Sequence, residues 1–276
     1  MTRLLAGWKR YDVAMLPKAA AHARVSDSVQ SIRSCLSLKN RILMARWTED
    51  FDSAPSNFWY IIKDKADELS DLSSNTRSKV RRGLKHCRIE PISKLQLAEI
   101  GYSVFKASYA RYKHNVCPQS ESEFKSHIAG LGDDIDVWAV YLEEGGELIA
   151  YSFNRNFGDA CDYTSITFHP DYLKLYPSYA LFYTMNSYYL GEKGMKYVND
   201  GARSISHESN IQEFLIEKFK FRKAYCALRI EYHPLLAVLI SITRPFRFVF
   251  RHIPLSIFHR IEAVQKQEDI RRGLDV

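Results

Sequence analysis

The stretch "DVWAVYLEEGGELIAYSFNRNFGDACDYTSITF", Asp136–Phe168, decides the fold class. Its first part, "DVWAVYLEE", is a short apolar run rich in β-branched and aromatic residues, as in a buried strand. Gly145 and Gly146 then allow a tight turn, because a residue without Cβ enters backbone regions closed to others. "ELIAYSFNRNF" alternates, with Ile149, Tyr151 and Phe153 on one side and Ala150, Ser152 and Asn154 on the other. "GDA" turns again and "CDYTSITF" reads as a third strand. Two short turns between three strands make an antiparallel meander.

Upstream, residues 1 to 40 read as helix-permissive and weakly patterned. "RILMARW" and "NFWYIIKD" read as strands parted by the turn-rich "TEDFDSAPS". "DLSSNTRSKVRRGLKHC" reads as a helix with Ser73 or Ser74 as N-cap, and "RIEPIS" as a short strand. Leu97, Ile100, Val104 and Tyr109 share a helical face, and "SESEFKSHIAGL" opens on Ser and Glu in a capping arrangement. Downstream, "HPDYLKLYPSYALFYTMNSYYLGEKG" holds a helix with Pro177 in its first turn. "MKYVND" is a short strand. Ile211, Phe214, Leu215 and Phe219 mark a last helix, and Phe221 to Tyr232 reads as one closing strand.

Composition narrows the function classes. With 46% hydrophobic residues in 276, the chain can bury a sizeable core. A formal charge of +7 favours anionic partners. The cysteines at 35, 87, 117, 161 and 226 form no Cys-x-x-Cys pair, which suits free thiols in a reducing compartment. No His-x-x-x-His pair and no Cys/His grouping at zinc spacing occurs, so no metal is expected. Gly-x-x-x-x-Gly-Lys-Ser/Thr and Gly-x-Ser-x-Gly are absent, against a P-loop nucleotidase and an α/β-hydrolase. The start, "MTRLLAGWKRYDVAML", lacks the apolar core of a secretory signal and is read as a folded leader. No apolar run approaches the ~20 residues that span a bilayer. Residues 235–261 interleave apolar, aromatic and arginine residues, as interfacial membrane segments do, and also as a packed helix with snorkelling arginines would.

Three segments carry a family likeness: "LSSNTRSKVRRGLKHCRIEPI" (72–92), "YPSYALFYTMNSYYLGEKGMKYVNDG" (176–201) and "NIQEFLIEKFKFRKAY" (210–225). With the order of elements, they make residues 57 to 232 resemble the GNAT N-acyltransferase fold, in the branch of the Fem-type peptidoglycan-bridge aminoacyltransferases and their acetyltransferase-like relatives. The resemblance implies an α/β fold of α+β type: a mixed, mostly antiparallel sheet flanked by helices. It implies a reduced N-terminal half over 1–90, a complete GNAT-like domain over 91–232 and an amphipathic tail over 233–276. Fem-type enzymes carry two such folds, and only about 90 residues precede the complete one here. The acetyltransferase phosphate loop, Gln/Arg-x-x-Gly-x-Gly/Ala, is missing, and "KLYPSYAL" stands in its place.

The implied reaction is attack of a neutral amine on a thioester or ester held between two splayed strands, "CDYTSITF" and "MKYVND". It needs a base for the amine proton and a donor for the developing oxyanion. Asp200, Tyr163 and Glu208 are the catalytic candidates, Asp200 first because it ends its strand beside Gly201. Asp200 can also be an ordinary Asp-Gly turn residue, and Tyr163 ordinary strand packing. Cys161 has no histidine partner in view as a nucleophile. Lys174, Ser178 and Tyr179 surround a helix start suited to phosphate. Arg77, Arg81 and Lys85 form a basic stripe, to which Lys79, Arg82 and Arg88 add, suited to an RNA backbone or a headgroup, or simply a solvated face. The donor implied is an acyl-CoA such as acetyl-CoA, or an aminoacyl-tRNA, without a metal. The acceptor implied is an amine of a cell-envelope or sugar precursor. The setting implied is cytoplasmic, with 235–261 a candidate contact for the anionic inner face of the membrane. The alternative is a non-catalytic, degenerate acyltransferase fold that binds anionic membrane or nucleic acid.

Overall fold

In the computed structural model, which describes residues 4–110, 118–204, 210–246 and 256–274, the chain opens on a hairpin where a helix-permissive leader is expected. β1 (Trp8–Tyr11) and β2 (Ala14–Pro17) pair antiparallel, with Asp12 at φ 51° in the turn. Aspartate tolerates this left-handed conformation better than most residues. Burial of Trp8 and Met15 holds the hairpin against Ile32 of the short helix α1 (Val29–Cys35).

β3 (Met44–Glu49), β4 (Trp59–Lys63), α2 (Ser74–His86) and β5 (Cys87–Ile92) follow as the sequence indicates. Ser73 caps α2 by accepting from the Thr76 N–H at 3.3 Å. Next come α3 (Lys94–Ile100), α4 (Tyr102–Tyr109) and α5 (Glu121–Ala129), the last opened by the expected Ser120–Glu123 capping box. The meander forms as read: β6 (Ile135–Leu142), β7 (Leu148–Asn156) and β8 (Ala160–Phe168), each antiparallel to the one before. α6 (Pro177–Asn186) runs into a π-helical turn, Ser187–Glu192, and β9 (Tyr197–Ala202) and α7 (Asn210–Phe219) follow.

The single closing strand is corrected. It divides at buried Cys226 into β10 (Arg222–Tyr225) and β11 (Ala227–Tyr232), which belong to different sheets. The Cys226 backbone is satisfied away from both ladders: its N–H donates to the Phe58 carbonyl at 3.0 Å, and its carbonyl accepts from Ser56 Oγ at 2.8 Å. The chain can therefore change sheets there without burying an unpaired amide. α8 (Pro234–Thr243) and α9 (Ser256–Arg271) end the described chain.

The two sheets have the orders β1-β2-β3-β11 and β10-β4-β9-β8-β7-β6-β5. This is a mixed α/β architecture with mostly antiparallel sheets flanked by helices, as the GNAT resemblance implies. The chain forms two compact units, both discontinuous in sequence: 1–60 with 202–210 and 223–276, and 61–201 with 211–222. In the first, Met44, Phe58, Leu228, Ile230 and Ile270 share a core. In the second, Val137, Ala139 and Tyr151 pack against Leu97, Val104, Phe124 and Ile128 on one face of the sheet. The other face lies under α6, where Phe182, Met185 and Tyr189 are fully buried.

Gly83 sets how closely α2 approaches α6. A Cβ there would stand 2.6 Å from the Tyr176 carbonyl oxygen and 3.0 Å from Ala180 Cβ. Alanine gains ~1 kcal/mol of helix propensity over glycine, but overpacking costs about 1–3 kcal/mol. Gly83→Ala is therefore expected to lower the thermal midpoint in a melting experiment. A midpoint at or above wild type would refute this close approach.

Candidate functional site

The decisive geometry lies where β8 and β9 part. They pair in parallel through three rungs only, Ala160↔Tyr197, Cys161↔Val198 and Asp162↔Asn199. Beyond these, β8 continues to Phe168 and β9 to Ala202. Two local features drive the parting. On β8, the register against β7 jumps from Asn154↔Tyr163 to Phe153↔Ser165, leaving Thr164 as an extra residue. Such a bulge bends its strand and sharpens its twist. Thr164 Oγ1 fixes it by donating to the Phe153 carbonyl at 2.7 Å. On β9, Gly201 adopts φ +101°, and its N–H donates to Asn199 Oδ1 at 2.9 Å. Asn199 Nδ2 meanwhile donates to Asp162 Oδ1 at 2.8 Å and closes the last rung.

Tyr163 and Asp200 are the first residues past that rung, one on each strand. Because strand side chains alternate, both share the face of Cys161 and Val198, which α6 covers. Tyr163 is buried, its ring lies 5.9 Å from that of Phe182, and its hydroxyl donates to Asn186 Oδ1 at 2.8 Å. Burial, then the nearby Cys161, Tyr189 and Asp200 groups, push its phenol far up, so it holds its proton. The Asp200 residue keeps some exposed surface, yet burial of its carboxyl raises the pKa to about 7. Asp200 has no hydrogen-bond or ion-pair partner among the described residues, so none of these offsets that desolvation. A carboxyl poised near neutrality beside a protonated phenol is equipped to take a proton while the phenol donates. Gly201, which follows Asp200, makes the bend. Glu208 lies outside the described residues.

Sequence reasoning missed the polar row that continues from this pair. Across the sheet, Tyr163 stands opposite Asn154, and Asn154 opposite Asp136. Over the row, the buried Tyr189 hydroxyl accepts from Trp138 Nε1 at 2.9 Å and Asn154 Nδ2 at 3.4 Å, and donates to Asp136 Oδ2 at 3.0 Å. Ser152 Oγ donates to Asn154 Oδ1 at 2.7 Å. Ser152 and Asn154 are fully buried. Beside Asp136 opens a pocket of 360 Å³ lined by Ile92, Lys94, Trp138 and Tyr188. Asp136 is three strands from Asp200, roughly 14 Å at the usual strand spacing, so this pocket is separate from the splay.

The basic residues are arranged differently from their sequence pattern. At the start of α6, Tyr176 has φ 61°, Pro177 has no N–H, and the Tyr179 and Ala180 N–H groups donate back to the Tyr176 carbonyl. The helix start therefore offers fewer amides to a phosphate than a helix N-terminus usually does. Lys174 is exposed and Ser178 half-buried there. Tyr179 sits inside an aromatic cluster with Phe214 and Phe219. The cations α2 brings to this point are Lys79, 5.6 and 5.3 Å from the Tyr176 and Tyr179 ring centres, and Arg82, 5.3 Å from that of Tyr176. Arg77 instead reaches the Ser70 carbonyl, and Arg81 and Lys85 are exposed. No hydrogen bond or ion pair among the described residues joins these three to Lys174, Ser178 or Tyr179. Cys161 is fully buried and its thiol is pushed far up by burial, which leaves no thiolate for nucleophilic work. Among the described residues no cluster of three histidine, cysteine or carboxylate side chains is arranged to hold a metal ion.

No protein-family model and no curated protein matches the sequence. Solved structures do match the fold. The C-terminal domain of an Agrobacterium fabrum protein assigned by inference as a lysylphosphatidylglycerol synthetase superposes with a TM-score of 0.52 at 12% identity, over 86% of this chain and 84% of that one. L-PGS from Bacillus licheniformis gives 0.48 at 12% identity, over 86% and 84%. FemX gives 0.49 at 13% identity, over 68% of this chain and 65% of FemX, just under two thirds of its length. The likeness to the Agrobacterium fabrum domain is a likeness of fold.

Proposed function

We propose that this protein is an N-acyltransferase whose chemistry takes place where β8 and β9 part. The observation that carries the reading is Asp200: a half-buried residue at the splay, with no hydrogen-bond or ion-pair partner among the described residues and a carboxyl raised to about 7 by burial, next to protonated Tyr163. Asp200 would take the proton from an attacking amine. Tyr163 would turn its one hydroxyl proton from Asn186 Oδ1 to the oxygen on which charge develops. Lys79, Arg82 and Lys174, rather than loop amides, would meet the phosphates of the donor, and both acyl-CoA and aminoacyl-tRNA carry phosphate. The amine acceptor, of the envelope-precursor or sugar class, would approach through the gap between the strands.

Two measurements test this. A donor that binds only the folded chain must raise its melting temperature. A thermal-shift series with acyl-CoAs, CoA and charged tRNAs should show stabilisation by one of these classes. If none stabilises, the reading fails. With the productive donor, kcat/KM should rise with pH and level off above about pH 7, because the base works only once Asp200 has lost its proton. A profile flat from pH 5 to 8 would remove Asp200 from the role.

A further inference from the structure

We infer that the pocket beside Asp136 binds a small organic ammonium ion. The pocket opens where the sheet loses its edge strand. Ile92 is the last residue of β5 and stands opposite Val137, so Asp136, one residue nearer the start of β6, lies past the end of that strand. The chain turns there into α3, capped by Ser93, and leaves a hollow of 360 Å³, a volume suited to a small molecule. Asp136 supplies the charge. Its Oδ2 accepts from the Tyr189 hydroxyl at 3.0 Å and from Asn156 Nδ2 at 3.1 Å, which fixes the carboxylate in place. Its Oδ1 accepts no hydrogen bond, and the carboxylate forms no ion pair, among the described residues. Lys94, the lysine in the lining, is turned elsewhere: its Nζ donates to the Gly132 carbonyl at 2.6 Å and the Leu131 carbonyl at 3.1 Å, with Asp133 at 3.4 Å.

Aromatic rings supply the rest. Trp138 and Tyr188 both line the pocket, with ring centres 5.1 Å apart and planes at 75°, so they form a corner. Ring faces attract ammonium groups within about 6 Å, and Tyr188 already does so: Lys193 Nζ lies 5.2 Å from its centre. A ligand ammonium would take the place of this exposed lysine and gain the Asp136 carboxylate, with which Lys193 makes no ion pair. An anion would be repelled by Asp136, and a neutral molecule would cover Oδ1 without neutralising it, so charge selects the class of ligand. The pocket is separate from the splay, and its ligand is independent of the catalytic reading.

The test is saturation-transfer NMR on the methyl protons of tert-butylammonium chloride added to the full chain, with tert-butanol as the neutral molecule of the same shape. Wild type should bind the ammonium saturably at constant ionic strength and the alcohol at least tenfold more weakly, the loss expected when a charged partner is removed. Asp136→Asn keeps the side-chain volume and an oxygen for Tyr189; it should keep its circular dichroism and lose about tenfold or more in affinity. If that variant does not fold, Tyr188→Leu, at a half-buried position, removes one ring of the corner and should weaken binding severalfold. Lys193→Met frees the Tyr188 ring and should bind at least as tightly as wild type. The inference is overturned if the ammonium does not bind saturably, if the alcohol binds as well, if the folded Asp136 or Tyr188 variant binds like wild type, or if Lys193→Met binds more weakly.

Discussion

Asp200→Asn should lower turnover by about 10²- to 10⁴-fold, the range removed with a general base, while making the folded protein more stable at neutral pH. Both effects have one cause. Burial raises the carboxyl to about 7 from an ordinary 3.8, so the folded protein holds that proton more tightly than the unfolded chain does. Stability then falls as pH rises from about 4 to about 7, and the loss persists above. Asparagine has no charge to desolvate, so above pH 7 the variant should gain on the order of 2–4 kcal/mol over wild type. Below pH 4 the two should converge. Urea denaturation at pH 4 and pH 8 measures the difference. A residue that served only the fold would lose stability when replaced. Lost turnover with gained stability distinguishes a strained functional group from a structural one. Equal stability at both pH values, with turnover intact, would sink the assignment.

The second large effect is expected at Tyr189. Its hydroxyl accepts from Trp138 and Asn154 and donates to Asp136, and the side chain is fully buried. Phenylalanine keeps the ring and strands those partners. Leaving a buried donor unsatisfied costs about 1–3 kcal/mol, and two donors are affected, though Asn154 keeps a contact to Met185 Sδ at 3.1 Å. Tyr189→Phe should therefore lose about 2–4 kcal/mol in urea denaturation. Tyr188, adjacent on the π-helical turn but half-buried, is the control, and Tyr188→Phe should stay within about 0.5 kcal/mol of wild type. If both variants match wild type, the polar row does not support the sheet.

Where local chemistry dictates structure, the sequence was readable. Gly145–Gly146 and Gly158 punctuate the meander, Ser73 and Ser120 cap their helices, and Pro177 starts α6. The splayed strands were legible through resemblance, and Asp200 was put forward from its position before Gly201. What stayed hidden depends on partners distant in sequence. Nothing local shows that Trp8 and Met15 bury a hairpin, or that Ser56 and Phe58 reach over to Cys226 and divide a strand. Alternation put Ser152 and Asn154 on one side of their strand but could not show that α6 covers it. On α2, the sequence showed Lys79 and Arg82 beside the stripe Arg77, Arg81 and Lys85 but not that packing on α6 turns those two toward Tyr176. The signal available for the missed residues was composition: two asparagines, Asn154 and Asn186, at positions that should face a core.

The central claim, that Asp200 is the proton acceptor at the splay, is tested most directly by titrating its carboxyl. With ¹³C-labelled aspartate, the resonance missing from the Asp200→Asn spectrum identifies it. It should titrate with a midpoint of about 7, where an ordinary aspartate titrates near 4. A midpoint near 4 would contradict the account, since the carboxyl would then be a solvated turn residue with no poise for the chemistry.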